Sequence, residues 1–130
     1  MDITTLATIY TQLQSNILMD TKDTIYITQL IFVKEGKEKT FLEFEKFAIP
    51  LMEKYKGRII YRLRPTKETF ISEEKELPYE IHFISFDSEK DFNEFMKDDS
   101  RLDFIHLKEE SVSSMMLVKG QEIYGDENGD

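Results

Sequence analysis

Over the first seventeen residues the apolar positions fall at Ile3, Leu6, Ile9/Tyr10, Leu13 and Ile17, one stripe at helical spacing. Asp2 can cap that helix. Thr4, Thr5, Thr8 and Thr11 weaken it intrinsically, so packing must hold it. After a polar linker at Asp20-Thr21-Lys22-Asp23, the period changes to that of a strand from Ile25 to Val33. Ile25, Ile27, Ile31 and Val33 take one face there, and Tyr26, Leu30 and Phe32 the other. A long helix follows over about Lys37–Lys56, with Phe41, Phe44, Ala48, Leu51/Met52 and Tyr55 on its inner stripe. Leu42, Phe47 and Ile49 form a second strip, a seat for the N-terminal helix. Pro50 should bend this helix, and Gly57 should end it.

Arg58–Arg64 reads as the second strand and Tyr79–Phe86 as the third, separated by a charged loop over Pro65–Pro78. Ser88-Glu89-Lys90-Asp91 has the form of a capping box and opens a helix to about Lys97, with Phe92, Phe95 and Met96 inward. A short helical piece falls within Asp98–Glu110, and Val112–Lys119 is the last strand. The chain thus divides into an N-terminal helical extension over 1–19, an α+β domain over 24–120 and an acidic tail over 121–130. Within the domain the order is β-α-β-β-α-β, the ferredoxin-like split unit: a four-stranded antiparallel sheet with both helices on one face.

The other face of that sheet is the difficulty. A half-solvated strand should alternate apolar and polar residues. Here Tyr26, Leu30 and Phe32 back Ile25, Ile27 and Ile31, Ile84 and Phe86 back Tyr79, Ile81 and Phe83, and Met115 and Leu117 back Val112, Met116 and Val118. Two helices cover only one face. The other would exceed the ~300–600 Å² apolar patch of a typical monomer, so the pattern predicts a sheet-on-sheet homodimer, a dimeric α+β barrel. The N-terminal helix is expected to shield a sheet edge or the long helix instead.

Composition narrows the partners. The 130 residues carry a formal charge of -9, which argues against nucleic acid and anionic membranes. With no Cys there is no thiolate chemistry, and no stretch approaches a membrane span; a cytoplasmic protein is the expectation.

The stretch Ile25–Val118 resembles the dimeric α+β-barrel superfamily, near the antibiotic-biosynthesis monooxygenase-like domains. The likeness rests on Pro50-Leu51-Met52-Glu53-Lys54-Tyr55-Lys56-Gly57-Arg58 and on Pro78-Tyr79-Glu80-Ile81-His82-Phe83-Ile84-Ser85-Phe86-Asp87-Ser88, then Phe92, Phe95 and Asp98-Asp99-Ser100-Arg101. Lys56 stands where the family pattern has its first Gly, and the N-terminal helix is an addition. The resemblance implies the barrel and a range of activities, from cofactor-free monooxygenases and isomerases to proteins without known chemistry; fold alone does not choose. Its haem-degrading branch fits poorly, since the chain has no Trp.

The candidate chemistry lies on the hairpin of the second and third strands. Pairing Ile59, Tyr61 and Leu63 with Ser85, Phe83 and Ile81 sets Arg62 opposite His82 and Arg64 opposite Glu80. Arg62 could hold an anionic or enolic ligand and His82 could move a proton, with Tyr61 or Tyr26 shaping the cavity. The same residues also read as a salt-bridged, partly wet end of the sheet. His106, between Ile105 and Leu107, reads as a half-buried structural histidine. No metal-ligand spacing, phosphate loop or nucleotide fingerprint is present, and no cofactor is expected. The sequence therefore suggests a homodimeric ligand-binding or accessory module, or a cofactor-independent enzyme acting on a small aromatic or enolic compound. A cavity of ~300 Å³ or more reached by Arg62 or His82 would favour the enzyme.

Overall fold

The structure, a computed structural model, describes residues 2–11, 23–71 and 76–123. Residues 3–11 form helix α1, and Asp2 Oδ1 accepts a 2.7 Å hydrogen bond from the Thr5 N–H as its cap. Leu13, Ile17, residues 20–22, 72–75 and the tail from 124 lie outside the described residues. The stripe on α1 faces solvent, Ile3 being 85 % and Tyr10 65 % exposed, so this part of the extension does not shield the sheet or the long helix as expected.

The remaining elements are β1 (Ile25–Val33), α2 (Glu38–Lys54), β2 (Gly57–Leu63), β3 (Glu80–Phe86), α3 (Glu89–Lys97), α4 (Ile105–Ser111) and β4 (Val112–Gly120). The four strands form one open antiparallel sheet in the order β2-β3-β1-β4. Ser88 caps α3 by accepting from the Asp91 N–H at 3.1 Å. No helix among the described residues is long and apolar enough to cross a membrane.

The core lies between the sheet and α2, α3 and α4. Ile25, Ile27, Ile84, Phe86 and Met52 are its buried centre. Phe86 meets Phe92 at 5.3 Å and Phe95 at 5.8 Å, which seats α3 on β3. Phe44 and Phe47 pack on Phe104 at 5.8 and 5.6 Å, so Phe47 of the second strip on α2 meets the segment that opens α4.

Two local features depart from the sequence reading. Gly57 does not act as a left-handed helix stop. Lys56 takes that role at φ 65°, and Gly57 opens β2, buried where a Cβ would meet Met52 Cγ and, at 2.7 Å, the Phe86 ring. Glycine is needed there for close approach. In β2 the register slips between Ile59 and Tyr61. Tyr61↔Phe83, Arg62↔His82 and Leu63↔Ile81 pair as expected, but Ile59 pairs with Ile84 instead of Ser85. The extra residue turns Ile59 toward the helices while Tyr61 and Leu63 face away. A second slip, opposite Phe32/Val33, puts Val112 on the same side as Met115.

The face away from the helices carries Tyr26, Leu30, Phe32, Tyr61, Leu63, Ile81, Phe83, Met116 and Val118 by this alternation. Tyr26 and Tyr61 stack on Phe83 with centroids at 5.5 and 6.3 Å. Tyr61, Leu63, Met116 and Val118 are each more than half exposed.

Candidate functional site

Glu80 and His82 alternate with Ile84 and Phe86 along β3, so all four point under α2. Cross-strand pairing adds Arg62 from β2, and α2 adds Glu45 from above. Glu80, Glu45 and His82 are 1 %, 3 % and 5 % exposed, while the Arg62 and Arg64 side chains are 43 % and 50 % exposed, so a buried carboxylate–imidazole centre carries a wet guanidinium rim. Arg62 donates from Nε to Glu80 Oε1 at 3.1 Å and from a terminal nitrogen to Glu45 Oε1 at 2.6 Å. Arg64 also donates to Glu80, while its guanidinium lies 4.0 Å over the Tyr79 ring.

His82 Nε2 lies 2.8 Å from Glu80 Oε1 and 3.2 Å from Glu45 Oε2. Its single hydrogen goes to the nearer carboxylate, which leaves Glu45 Oε2 a buried atom with no hydrogen-bond partner on the protein. Burial pushes the Glu45 carboxyl above its ordinary range, with the negative charge of Glu80 adding to that, against the pull of His82 and Arg62. Burial acts on Glu80 too, but hydrogen bonds from His82, Arg62 and Arg64 outweigh it and hold Glu80 ionised. Desolvation alone would lower the His82 pKa; the two carboxylates reverse this and raise it.

These three residues place ligand atoms within 4.8 Å of one another, a set that could hold a metal ion and that no sequence spacing announced. Arg62 and Arg64 already supply positive charge to the same carboxylates. An added cation would have to displace a guanidinium.

Beside the cluster is a cavity of about 120 Å³ between the sheet and the three helices. Its walls are mainly apolar, among them Ile27, Ile31, Ile84, Met115 and Leu117, and Ala48 leaves room at the middle of α2. Glu45 and His82 line it on one side; Arg101 and Lys108 also line it. Arg101 Nε is buried without a hydrogen-bond partner on the protein. Thus both buried, unpartnered side-chain atoms among the described residues belong to residues lining this one cavity. Buried polar groups are nearly always satisfied, so each needs a reason.

The structure brings Arg62, Arg64, Glu80 and His82 together. It does not bring Tyr26 or Tyr61 to them, because both lie on the opposite face of the sheet. Arg62 is held by carboxylates and does not line the cavity. His106 is exposed instead of half-buried, since Phe104, Leu107, Lys108 and Ser111 form the inward side of α4. Glu45 was legible in principle: it stands four residues after Phe41 and seven before Met52, a charged residue on an otherwise apolar stripe. Arg101 and Lys108 carried no comparable signal.

No family model matches the sequence, and no curated protein matches it. Solved structures do. A protein of unknown function from Rhodopseudomonas palustris matches with a TM-score of 0.69 at 13 % identity, over 90 % of this chain and 93 % of that one. A dimeric protein of unknown function and ferredoxin-like fold from Bacteroides fragilis matches at 0.58 and 13 %, over 78 % and 99 %. A DABB-family protein with a ferredoxin-like fold from Mesorhizobium loti matches at 0.57 and 12 %, over 78 % and 98 %. The chain has the ferredoxin-like fold. At these identities the likeness carries architecture alone, and the chemistry of the ferredoxin-like domain must be argued from its own cavity.

Proposed function

We propose that this chain is a homodimeric α+β barrel that holds a small, mostly apolar ligand between its sheet and helices. The carrying observation is the pairing of an apolar cavity with two lining residues, Glu45 and Arg101, that each carry a buried side-chain atom without a hydrogen-bond partner. A few placed polar groups in an apolar chamber are the usual make-up of a ligand site. At about 120 Å³ the space is close to the ~150 Å³ apolar cavity that takes up a benzene ring. Such a ligand is smaller than those of ~300 Å³ enzyme and drug sites, which favours the binding module over the enzyme.

The dimer follows from the outer face of the sheet. Four strands at ~4.8 Å spacing and ~3.3 Å per residue span roughly 20 by 25 Å. With its side-chain relief, that face approaches the ~800 Å² per partner of a standard interface. The dimeric ferredoxin-like neighbour supports a second copy as the occupant.

A cofactor-independent enzyme of monooxygenase or isomerase type is the second reading, favoured by Glu45 and His82 at the cavity wall. The raised pKa makes His82 a proton donor near neutrality instead of the base suggested by the sequence. Recovery of a bound phenol chemically unchanged after prolonged incubation would remove this reading.

Phenol tests the cavity directly. At ten times its Kd it should stabilise the protein by ~1.4 kcal/mol, a melting shift of about 5 °C. Ala48→Leu, which fills the chamber, should abolish the shift while the protein stays folded. An equal shift in the variant places the ligand elsewhere.

A further inference from the structure

Arg101 and Lys108 stand apart from the Glu45–Glu80–His82 cluster in one respect. Arg62 and Arg64 have carboxylate partners, whereas no carboxylate among the described residues lies within 4 Å of the Arg101 or Lys108 nitrogens. Arg101 is held on its outer side, donating from Nη1 to the Met96 carbonyl at 3.0 Å, with its guanidinium 5.2 Å over the Phe95 ring. Those contacts fix the planar group but leave Nε–H buried and unpartnered. Lys108 comes to the same cavity from α4, one helical turn beyond the buried Phe104.

Burial pushes both cations toward the neutral form, and in Lys108 the charge of Arg101 adds to it; Glu109 offsets this only in part. Two partly buried cations on one side of a chamber, with Glu45 on its wall but no described carboxylate within 4 Å of them, leave room for an anion to pair with both. A carboxylate suits the arrangement: its two oxygens can accept from a guanidinium N–H and from an ammonium together.

Resting on the proposal that the cavity binds a ligand, we infer that the ligand is a small organic carboxylate, its acid group held by Arg101 Nε and Lys108 and its apolar body lying along Ile27, Ala48, Ile84 and Met115. This moves the anion-binding role from Arg62, whose guanidinium is engaged by Glu45 and Glu80, to the far pair of cations. It also gives the Asp98-Asp99-Ser100-Arg101 segment a task beyond its turn. Asp98 accepts from the Ser100 N–H at 2.8 Å and from Ser100 Oγ, and Asp98 O accepts from the Arg101 N–H at 3.1 Å, which sets where Arg101 begins.

Calorimetric titration of the full chain with benzoate, benzamide and benzyl alcohol tests the inference. Benzoate should bind at least tenfold more tightly than its two neutral counterparts. Arg101→Gln and, separately, Lys108→Gln should each remove most of that preference, read as the ratio of benzoate to benzyl alcohol affinity. Lys108→Gln, which leaves the Phe95 and Met96 contacts intact, keeps the test valid if the arginine variant folds poorly. Equal affinity for benzoate and the neutral compounds overturns the carboxylate assignment but leaves the cavity reading standing. Binding of none of the three, or benzoate binding that survives in Ala48→Leu, overturns both.

Discussion

Lys56 shows how much one backbone angle can cost. It adopts φ 65° where a side chain is disfavoured by roughly 1–2 kcal/mol, and its own side chain is exposed. Glycine would relieve that strain but lose more chain entropy on folding. Lys56→Gly should therefore stabilise the protein by about 0.5–1 kcal/mol, read as a raised urea midpoint with unchanged slope. The adjacent Gly57 should tolerate no such exchange, because its neighbours occupy the space of a Cβ. Glu80 sets the opposite extreme. Removing it in Glu80→Ala leaves Arg62 and His82 without their main acceptor, and full loss of a buried partner costs ~3–5 kcal/mol. Arg62 is 43 % exposed and can turn to water, so we expect about 2–3 kcal/mol in urea unfolding. A cost below 1 kcal/mol would mean the network is not organised around Glu80.

At the scale of elements, the Glu45–Glu80–His82–Arg62 network ties α2 to the β2–β3 hairpin, and its ionisation should set how that joint responds to pH. Glu80 has a folded pKa below its ordinary 4.5. Its contribution is present above pH 4.5 and is lost as pH falls below it. His82 has a folded pKa above its ordinary 6.5, so its contribution is complete below pH 6.5 and is lost as pH rises through the folded value. Glu45, raised above 4.5, works in the same direction as His82. Melting temperature should thus be highest near pH 4.5 and fall on both sides, on the alkaline side first as Glu45 ionises and then as His82 loses its proton. His82→Gln should flatten the alkaline limb. A wild-type melting temperature that climbs steadily from pH 6 to 8.5 would contradict the assigned protonation.

The whole molecule presents one apolar sheet face that its own described helices leave open. If a second copy covers it, the interface centres on Phe83, with Tyr26 and Tyr61 stacked on either side. Large aromatic residues at the centre of an interface carry most of its energy. Tyr61→Glu combined with Met116→Glu should convert a dimer to a monomer in sedimentation at micromolar concentration, since both side chains are more than half exposed in the single chain. A wild-type protein that already sediments as a single subunit would remove the barrel from the proposed function.

The order of strands and helices, their approximate ends, the Ser88 cap and the meeting of Arg62, Arg64, Glu80 and His82 were all present in the sequence. Each depends on local period or on pairing two neighbouring strands, and such short-range constraints are written in consecutive residues. Which face Ile59 and Val112 occupy was not, because one extra residue in a strand reverses every side chain beyond it, and a bulge leaves no mark in composition. Nor could the chain alone show that Glu45 lies over His82, or that Arg101 and Lys108 share a cavity. Those residues come from separate elements, and only the packing of three helices on one sheet sets the distances between them.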